Sequence, residues 1–185
     1  MFHVHHNMAR MYEMKGLPDE ALRLLFNQGD ALGNGLCQEQ SVYGAWGLYA
    51  IGNCLQLQKD RRAVETHMKA LKIRQDLLGD HYYTAISYHK LGQLHLVDAA
   101  FEDASKYFEE AYKILNDPLE NTEAELARTL WYWSLARKKM TQDKKAADLK
   151  ERAIRIRSGL VNQQRPVDDK WVDEDFDKLV VHNNR

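Results

Sequence analysis

Clusters of histidines and acids are the parts of this sequence that could bind a metal ion. His3, His5 and His6 form the densest histidine group, but only His3 and His6 share one face of a helix. Two imidazoles do not complete a zinc site. Acids recur near the C-terminus without the glycine and spacing of a calcium-binding loop: Asp168, Asp169, Asp173, Glu174 and Asp175. We therefore predict no metal and no other cofactor, and we expect these acids to form a solvated face.

Motifs that support catalysis are not found in the sequence either. It contains no glycine-rich phosphate loop, no HExxH and no nucleophile elbow. No catalytic residue is assigned for that reason. An enzyme or small-molecule binder that uses a concave surface as its pocket stays open as an alternative, with these polar and stacking residues: His6, Tyr49, His89 and Trp131.

The overall composition argues against several kinds of partner. The 185 residues carry a formal net charge of −1 and are 44% apolar, so nothing attracts nucleic acid or an anionic membrane. Cys37 and Cys54 are the two cysteines and form no CxxC pair, which favours a reducing compartment. No stretch approaches the roughly 18 apolar residues of a membrane span, and the N-terminus lacks the pattern of a signal peptide. We expect a cytoplasmic protein.

Pairs of alanines seven residues apart recur along the chain. Successive units begin 42, 41 and 42 residues apart, and a period of this length is typical of stacked helical hairpins. The sequence therefore predicts an all-α fold, a right-handed α-solenoid of four hairpins over residues 1–160 with a C-terminal cap or tail over 161–185. The hairpins are expected at about 2–35, 44–77, 85–118 and 127–160. The alanines are Ala63 and Ala70, Ala104 and Ala111, and Ala146 and Ala153, preceded by Ala21.

Turn residues and small residues place the helices within each hairpin. Gly16-Leu17-Pro18 is expected to separate the first two helices, and the turn near Lys59-Asp60 is one residue shorter than in the other copies. Glycine or alanine on the first helix would let the second approach closely, with pairs such as Leu91 and Phe108 filling the remaining space. His81 is expected to cap a helix rather than to bind a ligand.

The third copy resembles a tetratricopeptide repeat, since residues 85–118 carry its pattern: Tyr88, Leu91, Gly92, Phe101, Ala104, Phe108 and Ala111, followed by Pro118. The stretch from Ala70 to His81 is similar to the 42-residue repeat of kinesin light chains, which also occurs in many fungal tetratricopeptide proteins. Part of it recurs as Ala153-Ile154-Arg155-Ile156-Arg157 in the fourth copy. The resemblance implies a scaffold for binding other proteins.

The first helix of each hairpin lines the concave groove of such a solenoid. Projecting the repeat onto these helices predicts a groove wall of aromatic and basic side chains, the types enriched at binding hot spots. An acidic peptide with a bulky aromatic anchor would suit such a wall. Alternatively, Trp46, Tyr49 and Trp131 cover the core where hairpins meet. The predicted wall comprises His3, His6, Asn7 and Arg10; Trp46, Tyr49 and Asn53; His89, Lys90 and Gln93; and Arg128, Trp131, Leu135 and Lys138.

Kinesin light chains, as a family, hold extended cargo peptides partly with asparagines on these helices. Only Asn7 matches one of those positions here. The resemblance therefore identifies a scaffold and does not transfer a cargo.

The C-terminal segment is acidic and carries spaced apolar residues. Val172, Phe176 and Leu179 lie at i, i+4 and i+7, as in a short amphipathic helix, and Trp171, Phe176 and Leu179 are its expected anchors. The segment either caps the last hairpin or occupies the groove of its own or a neighbouring chain, where it would compete with a partner.

Three functional hypotheses follow from the sequence. The first is a non-catalytic adaptor that binds a peptide or protein partner in its groove. The second is the pocket-forming enzyme or small-molecule binder described above. The third is a self-associating or autoinhibitory module of a larger assembly. Phe2 and Val4 would be exposed at the start of the first helix, which predicts a homo-oligomer or a fragment of a longer protein.

Overall fold

The computed structural model describes residues 8–9, 11–31, 41–117, 121–161 and 170–180, without the side chains of 26–31. The chain divides into two compact units, residues 1–79 and 80–185. Several predicted positions lie outside the described residues and are not placed: Phe2, Val4, His3, His5, His6, Asn7, Arg10, Cys37, Pro118, Asp168 and Asp169.

The described residues are helical apart from turns and short links. In the N-terminal unit, residues 11–14 are helical and are followed by α1 (Pro18–Ala31), α2 (Val42–Leu57) and α3 (Arg62–Leu78). The C-terminal unit contains α4 (Tyr82–Val97), α5 (Phe101–Leu115), α6 (Glu123–Lys139), α7 (Asp143–Leu160) and the short α8 (Glu174–Asp177). In the N-terminal unit α2 contacts α1 and α3. In the C-terminal unit α5 contacts α4 and α6, and α6 also contacts α7, α4 and α8.

The turn inside each hairpin has the same backbone structure in all four copies. One residue adopts a left-handed conformation, with φ between 57° and 69°: Gly16, Lys59, Ala99 and Thr141. In each copy two backbone hydrogen bonds join the turn to the preceding helix, as Ala99 N–H to Leu96 O and Ala100 N–H to His95 O do in the third, which is a Schellman motif. In the second copy Ala63 follows its left-handed residue by one position fewer than the corresponding alanines do, so the shorter turn is confirmed.

Two glycines allow an aromatic ring of the second helix to contact the backbone of the first. A Cβ atom at Gly92 would lie 2.6 Å from the Phe108 ring, and one at Gly52 would lie 2.6 Å from the His67 ring. Phe108 and His67 are fully buried. Glycine at these positions was expected to let the two helix backbones approach each other. In the structure it instead makes room for an aromatic ring of the second helix.

The hairpins of the C-terminal unit are joined by buried side-chain hydrogen bonds. Nδ1 of His89 on α4 lies 3.0 Å from Oγ1 of Thr129 on α6, and the Trp133 indole N–H donates to Oγ of Ser105 at 2.8 Å. Each satisfies a polar group inside an apolar core. Neighbouring first helices therefore have one fixed register.

His81 caps α4, as expected. Its backbone is extended, and its Nδ1 accepts a hydrogen bond from the Tyr83 N–H at 3.2 Å. A side chain in this place satisfies one of the free N–H groups at a helix start.

Replacing Gly92 by alanine is expected to destabilise the protein by about 1–3 kcal/mol, because the new methyl group overlaps the buried Phe108 ring. Gly159 is a matched control, since it also lies in a helix and a Cβ atom added there would have no neighbour within 4 Å. Gly159→Ala should be neutral or stabilising by up to about 1 kcal/mol. Urea unfolding measures both, and equal effects would contradict the packing described.

Acid is expected to destabilise the protein through His89. Burial, together with the nearby cations Arg128 and Lys90, holds the pKa of His89 well below 6.5. The unfolded chain therefore binds a proton at this residue below about pH 6.5, whereas the native protein does not. The contribution of neutral His89 to the free energy of unfolding is fully present above that pH and is lost on acidification, by at most about 1.4 kcal/mol per pH unit. Urea unfolding between pH 7.5 and 5.5 should show a smaller loss for His89→Gln than for the unmodified chain. Parallel pH profiles would contradict this assignment.

Candidate functional site

Most of the predicted groove residues that the structure describes are buried. Gln93 and Leu135 are half-buried, as is Trp46, and Lys138 is exposed. A role of the set in binding a partner stays a prediction. The buried members are Tyr49, Asn53, His89, Lys90, Arg128 and Trp131.

The burial has a simple geometric cause at one repeated position. Tyr49 and His89 lie three residues before Gly52 and Gly92, so each shares the glycine's helix face and meets the same ring of the second helix. The Tyr49 ring meets the His67 ring edge to face, with the ring centres 5.0 Å apart, and the His89 and Phe108 ring centres are 5.5 Å apart. This three-residue spacing could have indicated burial from the sequence, but the prediction of the groove wall did not take it into account.

In the N-terminal unit, Tyr49 belongs to a buried aromatic and cationic cluster. The Arg74 guanidinium lies 4.7 Å from the centre of its ring, and Arg74 is itself buried. A cation over an aromatic face is stabilised by the ring quadrupole. Trp46 contacts Tyr43 edge to face at 5.7 Å and is the more accessible of the two predicted rings. Tyr49 is therefore a core residue between the two helices of the second hairpin, whereas the alternative interpretation placed it where hairpins meet.

In the C-terminal unit, charged side chains of α4 and α6 are buried around His89. Arg128 is 1% exposed and Lys90 is 5% exposed, and the Tyr82 hydroxyl donates to the Glu125 carboxylate. Burial, with that hydrogen bond to Glu125, raises the pKa of Tyr82. A neutral, buried His89 and a protonated Tyr82 do not form an accessible acid–base pair.

Three consecutive aromatic residues of α6, Trp131, Tyr132 and Trp133, are all buried. Trp133 lies towards α5, where its indole bonds Ser105. Trp131 and Tyr132 are covered by the acidic C-terminal segment, residues 170–180, which we call the tail. Phe176 of the tail stacks on Trp131 with the ring centres 4.4 Å apart.

The tail is held on α6 and α7 by its acids as well as by its rings. The Trp131 indole N–H donates to Asp173 at 2.8 Å, and the Tyr132 hydroxyl donates to Asp177 at 2.9 Å. Nε of Arg157 donates to the Asp175 backbone oxygen at 2.9 Å. Both Asp173 and Asp175 were expected on a solvated face. Asp173 is exposed, as expected, and also accepts the Trp131 bond, whereas Asp175 is half-buried against the last hairpin.

These contacts explain the protonation state of Tyr132. Its pKa is raised by burial first and then by the nearby carboxylates of Asp177 and Asp173. The hydroxyl therefore stays protonated and keeps its donor role towards Asp177. The bond is directional, which fixes how the short helix α8 lies on α6.

The buried residues of the tail differ partly from the amphipathic pattern. Phe176 is fully buried, Trp171 and Val180 are buried, and Leu179 is half-buried against the same core. Val172 is 42% exposed and does not act as an anchor. Trp171 packs under Arg157 instead, 4.8 Å from guanidinium carbon to ring centre. The helix is shorter than the i, i+4, i+7 pattern requires, so Val172 precedes it.

A cavity of about 620 Å³ lies where α6, α7 and the tail meet. It includes three members of the predicted wall, Trp131, Leu135 and Lys138. Its volume falls in the range of about 300–1,000 Å³ that is typical of ligand pockets. The other lining residues are Ser134 of α6; Asp143, Ala146, Ala147 and Lys150 of α7; and Trp171, Val172, Asp173 and Glu174 of the tail.

The surface around the cavity is rich in cations. Lys138, Lys139, Lys144 and Lys145 lie at the turn between α6 and α7 and are exposed. Among the residues that the structure describes, no group of three or more histidine, cysteine, aspartate or glutamate side chains is placed to hold a metal ion. The cavity itself is lined by two lysines, Lys138 and Lys150, and by three acids, Asp143, Asp173 and Glu174, beside its apolar walls.

Comparison with known proteins places the repeat and the fold. Residues 45–117 match the family model described as tetratricopeptide repeat. No curated protein matches the sequence significantly. In the described parts of the chain, no helix has the length and apolar character needed to cross a membrane.

Solved structures of tetratricopeptide type resemble the chain over most of its length. BtubC (BKLC) from P. vanneervenii is 25% identical with a TM-score of 0.77, over 92% of this chain and 68% of that one. A putative kinesin light chain with nearly identical repeats from Podosopora anserina is 18% identical with a TM-score of 0.73, over 89% and 79%. MamA from Desulfovibrio magneticus RS-1 is 20% identical with a TM-score of 0.59, over 84% and 75%.

The expected fold class and the resemblance to the kinesin-light-chain type of repeat are confirmed by these comparisons. The last two structures are less than 25% identical to the chain and support the fold alone. Schellman turns recur, rings are seated on Gly52 and Gly92, and residues 45–117 match the repeat model. The chain carries tetratricopeptide repeats over these residues, and its fold is similar to the solved structures of BtubC and a putative kinesin light chain.

Proposed function

We propose that the chain is a non-catalytic interaction module that binds a peptide or protein partner through the first-helix side of its hairpins, with the fourth hairpin as the main contact. The tetratricopeptide fold supports a protein-interaction module in general. The partner we propose is acidic with a bulky apolar or aromatic anchor. A cytoplasmic setting is part of the proposal.

One observation carries this proposal: the fourth hairpin already holds an acidic and aromatic segment, its own tail. Phe176 stacks on Trp131, and Asp173 and Asp177 accept hydrogen bonds from Trp131 and Tyr132. Beside the docked tail a cavity lined by Trp131, Leu135 and Lys138 stays open, and side chains of these types suit an apolar anchor of a partner. The exposed Lys138 at the cavity would attract an acidic partner towards it.

Burial of Cys54 is compatible with the cytoplasmic setting. The cysteine is free and buried, and burial, assisted by the nearby Glu13, raises its pKa to about 12. A protonated, inaccessible thiol is unreactive. It acts as a small core residue and not as a redox centre.

The pocket hypothesis keeps one supporting observation, the cavity of about 620 Å³. Two residues assigned to it, Tyr49 and His89, are buried in the core and do not line that cavity. Of the four residues first considered, the structure describes three, Tyr49, His89 and Trp131. Only Trp131 of these three lines the cavity. We rank this function second.

The self-association hypothesis also has a specific observation in its favour. The tail contacts that occur within one chain could form equally between two chains, since they involve only residues 170–180 and the fourth hairpin. Mass measurement by light scattering across micromolar dilution tests it. A concentration-dependent dimer that disappears in Phe176→Ala would favour exchange of the tail.

The proposed partner chemistry is tested by selecting peptides from a random display library on the purified full chain. We expect enrichment of segments that combine acids with one bulky apolar residue. Lys138→Glu, which changes a charge at the cavity, should weaken the selected peptides about fivefold, the effect of one exposed ion pair, and their affinity should fall as salt is raised.

Lys144→Glu is the matched control, because Lys144 is an exposed lysine of the same turn that does not line the cavity. Its effect should be well below that of Lys138→Glu. Selection of no consensus, or of basic peptides, would reject the proposed partner class.

A further inference from the structure

We infer that the chain pairs with a second copy of itself through an exposed face of its first helix. Residues 8, 9 and 11–14 are helical, and Met8, Met11 and Met14 recur there at every third position, so their side chains share one side of the helix. Met8 is 40% exposed and Met11 is 54% exposed. We call these three residues the methionine face. It belongs to the N-terminal unit and shares no residue with the tail or the fourth hairpin.

The other hairpins show that two positions of this face are normally buried. Ala9 corresponds to Gly92, because each lies twelve residues before the first alanine in the second helix of its hairpin. The residues that correspond to Met8 and Met11 are buried in all three later hairpins. They are Ile51, Leu91 and Trp133 for Met8, and Cys54, Leu94 and Ala136 for Met11.

The second helix of the preceding hairpin covers these positions where both helices belong to one unit. The Trp133 indole donates to Ser105 of α5, and the Trp133 and Tyr112 ring centres are 5.7 Å apart. Ile51 and Cys54 of α2 belong to an apolar cluster that includes side chains of α1. The methionine face is therefore the same kind of surface as the interfaces between hairpins, and a helix is the element that fits it.

The methionine face is suited to a second copy because it is symmetric about Met11. Met8 and Met14 each lie three residues from Met11, so a two-fold axis through Met11 places Met8 against Met14 of the partner subunit. A two-fold dimer requires a self-complementary surface of this kind. Methionine is unbranched and flexible, which lets two such surfaces adapt to each other. The two helices run antiparallel across the axis, so the exposed Lys15 side chains lie at opposite ends of the contact.

The last hairpin does not offer a second copy an equivalent surface. Tyr112 of α5 contacts the next hairpin through Trp133, and the counterpart of Tyr112 in α7 is Ile154. Ile154 is buried in one cluster with Trp171 and Phe176 of the tail. The tail therefore occupies the place that the first helix of another copy needs. Association through the methionine face ends at a closed dimer and does not continue end to end.

Sedimentation velocity on the full chain tests this inference. Three side chains per copy make a small and weak interface, so the measurement covers about 10 µM to about 1 mM. We expect a reversible equilibrium between monomer and dimer without larger species. Met11→Glu should raise the dissociation constant at least about tenfold, because it places two carboxylates opposite each other in an apolar contact.

Met68→Glu is the matched control for the charge change. Met68 is 49% exposed, lies on α3 and is not part of the methionine face. This variant should leave the dissociation constant unchanged. Phe176→Ala should also leave the dimer intact, which separates this contact from an exchange of the tail.

Methyl ¹H–¹³C spectra of the methionines locate the contact on the unmodified chain. On dilution the signals of Met8, Met11 and Met14 should shift together, whereas the signal of Met68 should stay constant. This measurement holds even if a variant alters the fold.

Several results would overturn the inference. A monomeric mass over the whole concentration range would do so and would leave the methionine face to a helix of another protein. A dimer that Met11→Glu leaves intact, or that Phe176→Ala abolishes, would place the contact elsewhere. Growth beyond the dimer would contradict the two-fold arrangement. The peptide selection is independent of these results, since Met11→Glu should not change the affinity for the selected peptides.

Discussion

The structure of the C-terminal unit depends on covering the apolar face of α6. That helix carries Trp131, Tyr132 and Trp133 in sequence, and all three are buried. Three successive side chains of a helix point about 100° apart, so no single neighbouring helix can cover them. α5 covers Trp133, and the tail covers Trp131 and Tyr132. Without the tail, Trp131 would lose the ring stacked on it, and Tyr132 would lose its carboxylate partner but keep its contacts with His89 and Phe108.

The way in which the tail is held also determines what the fourth hairpin can recognise. Its contacts combine stacked rings with carboxylates that accept hydrogen bonds from an indole and a phenol. These groups are satisfied once the tail is docked, so under the proposed function a partner would meet a different surface, the cavity that the tail forms with α6 and α7. The tail therefore contributes to the surface that remains exposed beside α6 and α7.

The repeat register could be read from the sequence because it depends on small residues at fixed spacing. Gly92, Ala104 and Ala111 each occupy a place where a larger side chain would overlap a neighbouring helix, and such places recur with the period of the hairpin. The turn near Lys59 and the cap at His81 were predictable for the same local reason. The exposure of the predicted wall was not, because Tyr49 and His89 look like binding residues by type but lie on the face that meets the second helix.

The amino-acid sequence by itself determined the all-helical repeat, its period, its turns and the acidic, aromatic character of the tail, since these follow from local spacing and residue type. Only the tertiary structure decided which side chains are accessible, where the tail lies and that a cavity forms beside it. The reason is that burial depends on contacts between residues about 40 positions apart, such as Trp131 with Asp173 and His89 with Thr129. No periodicity within one repeat specifies how those side chains meet.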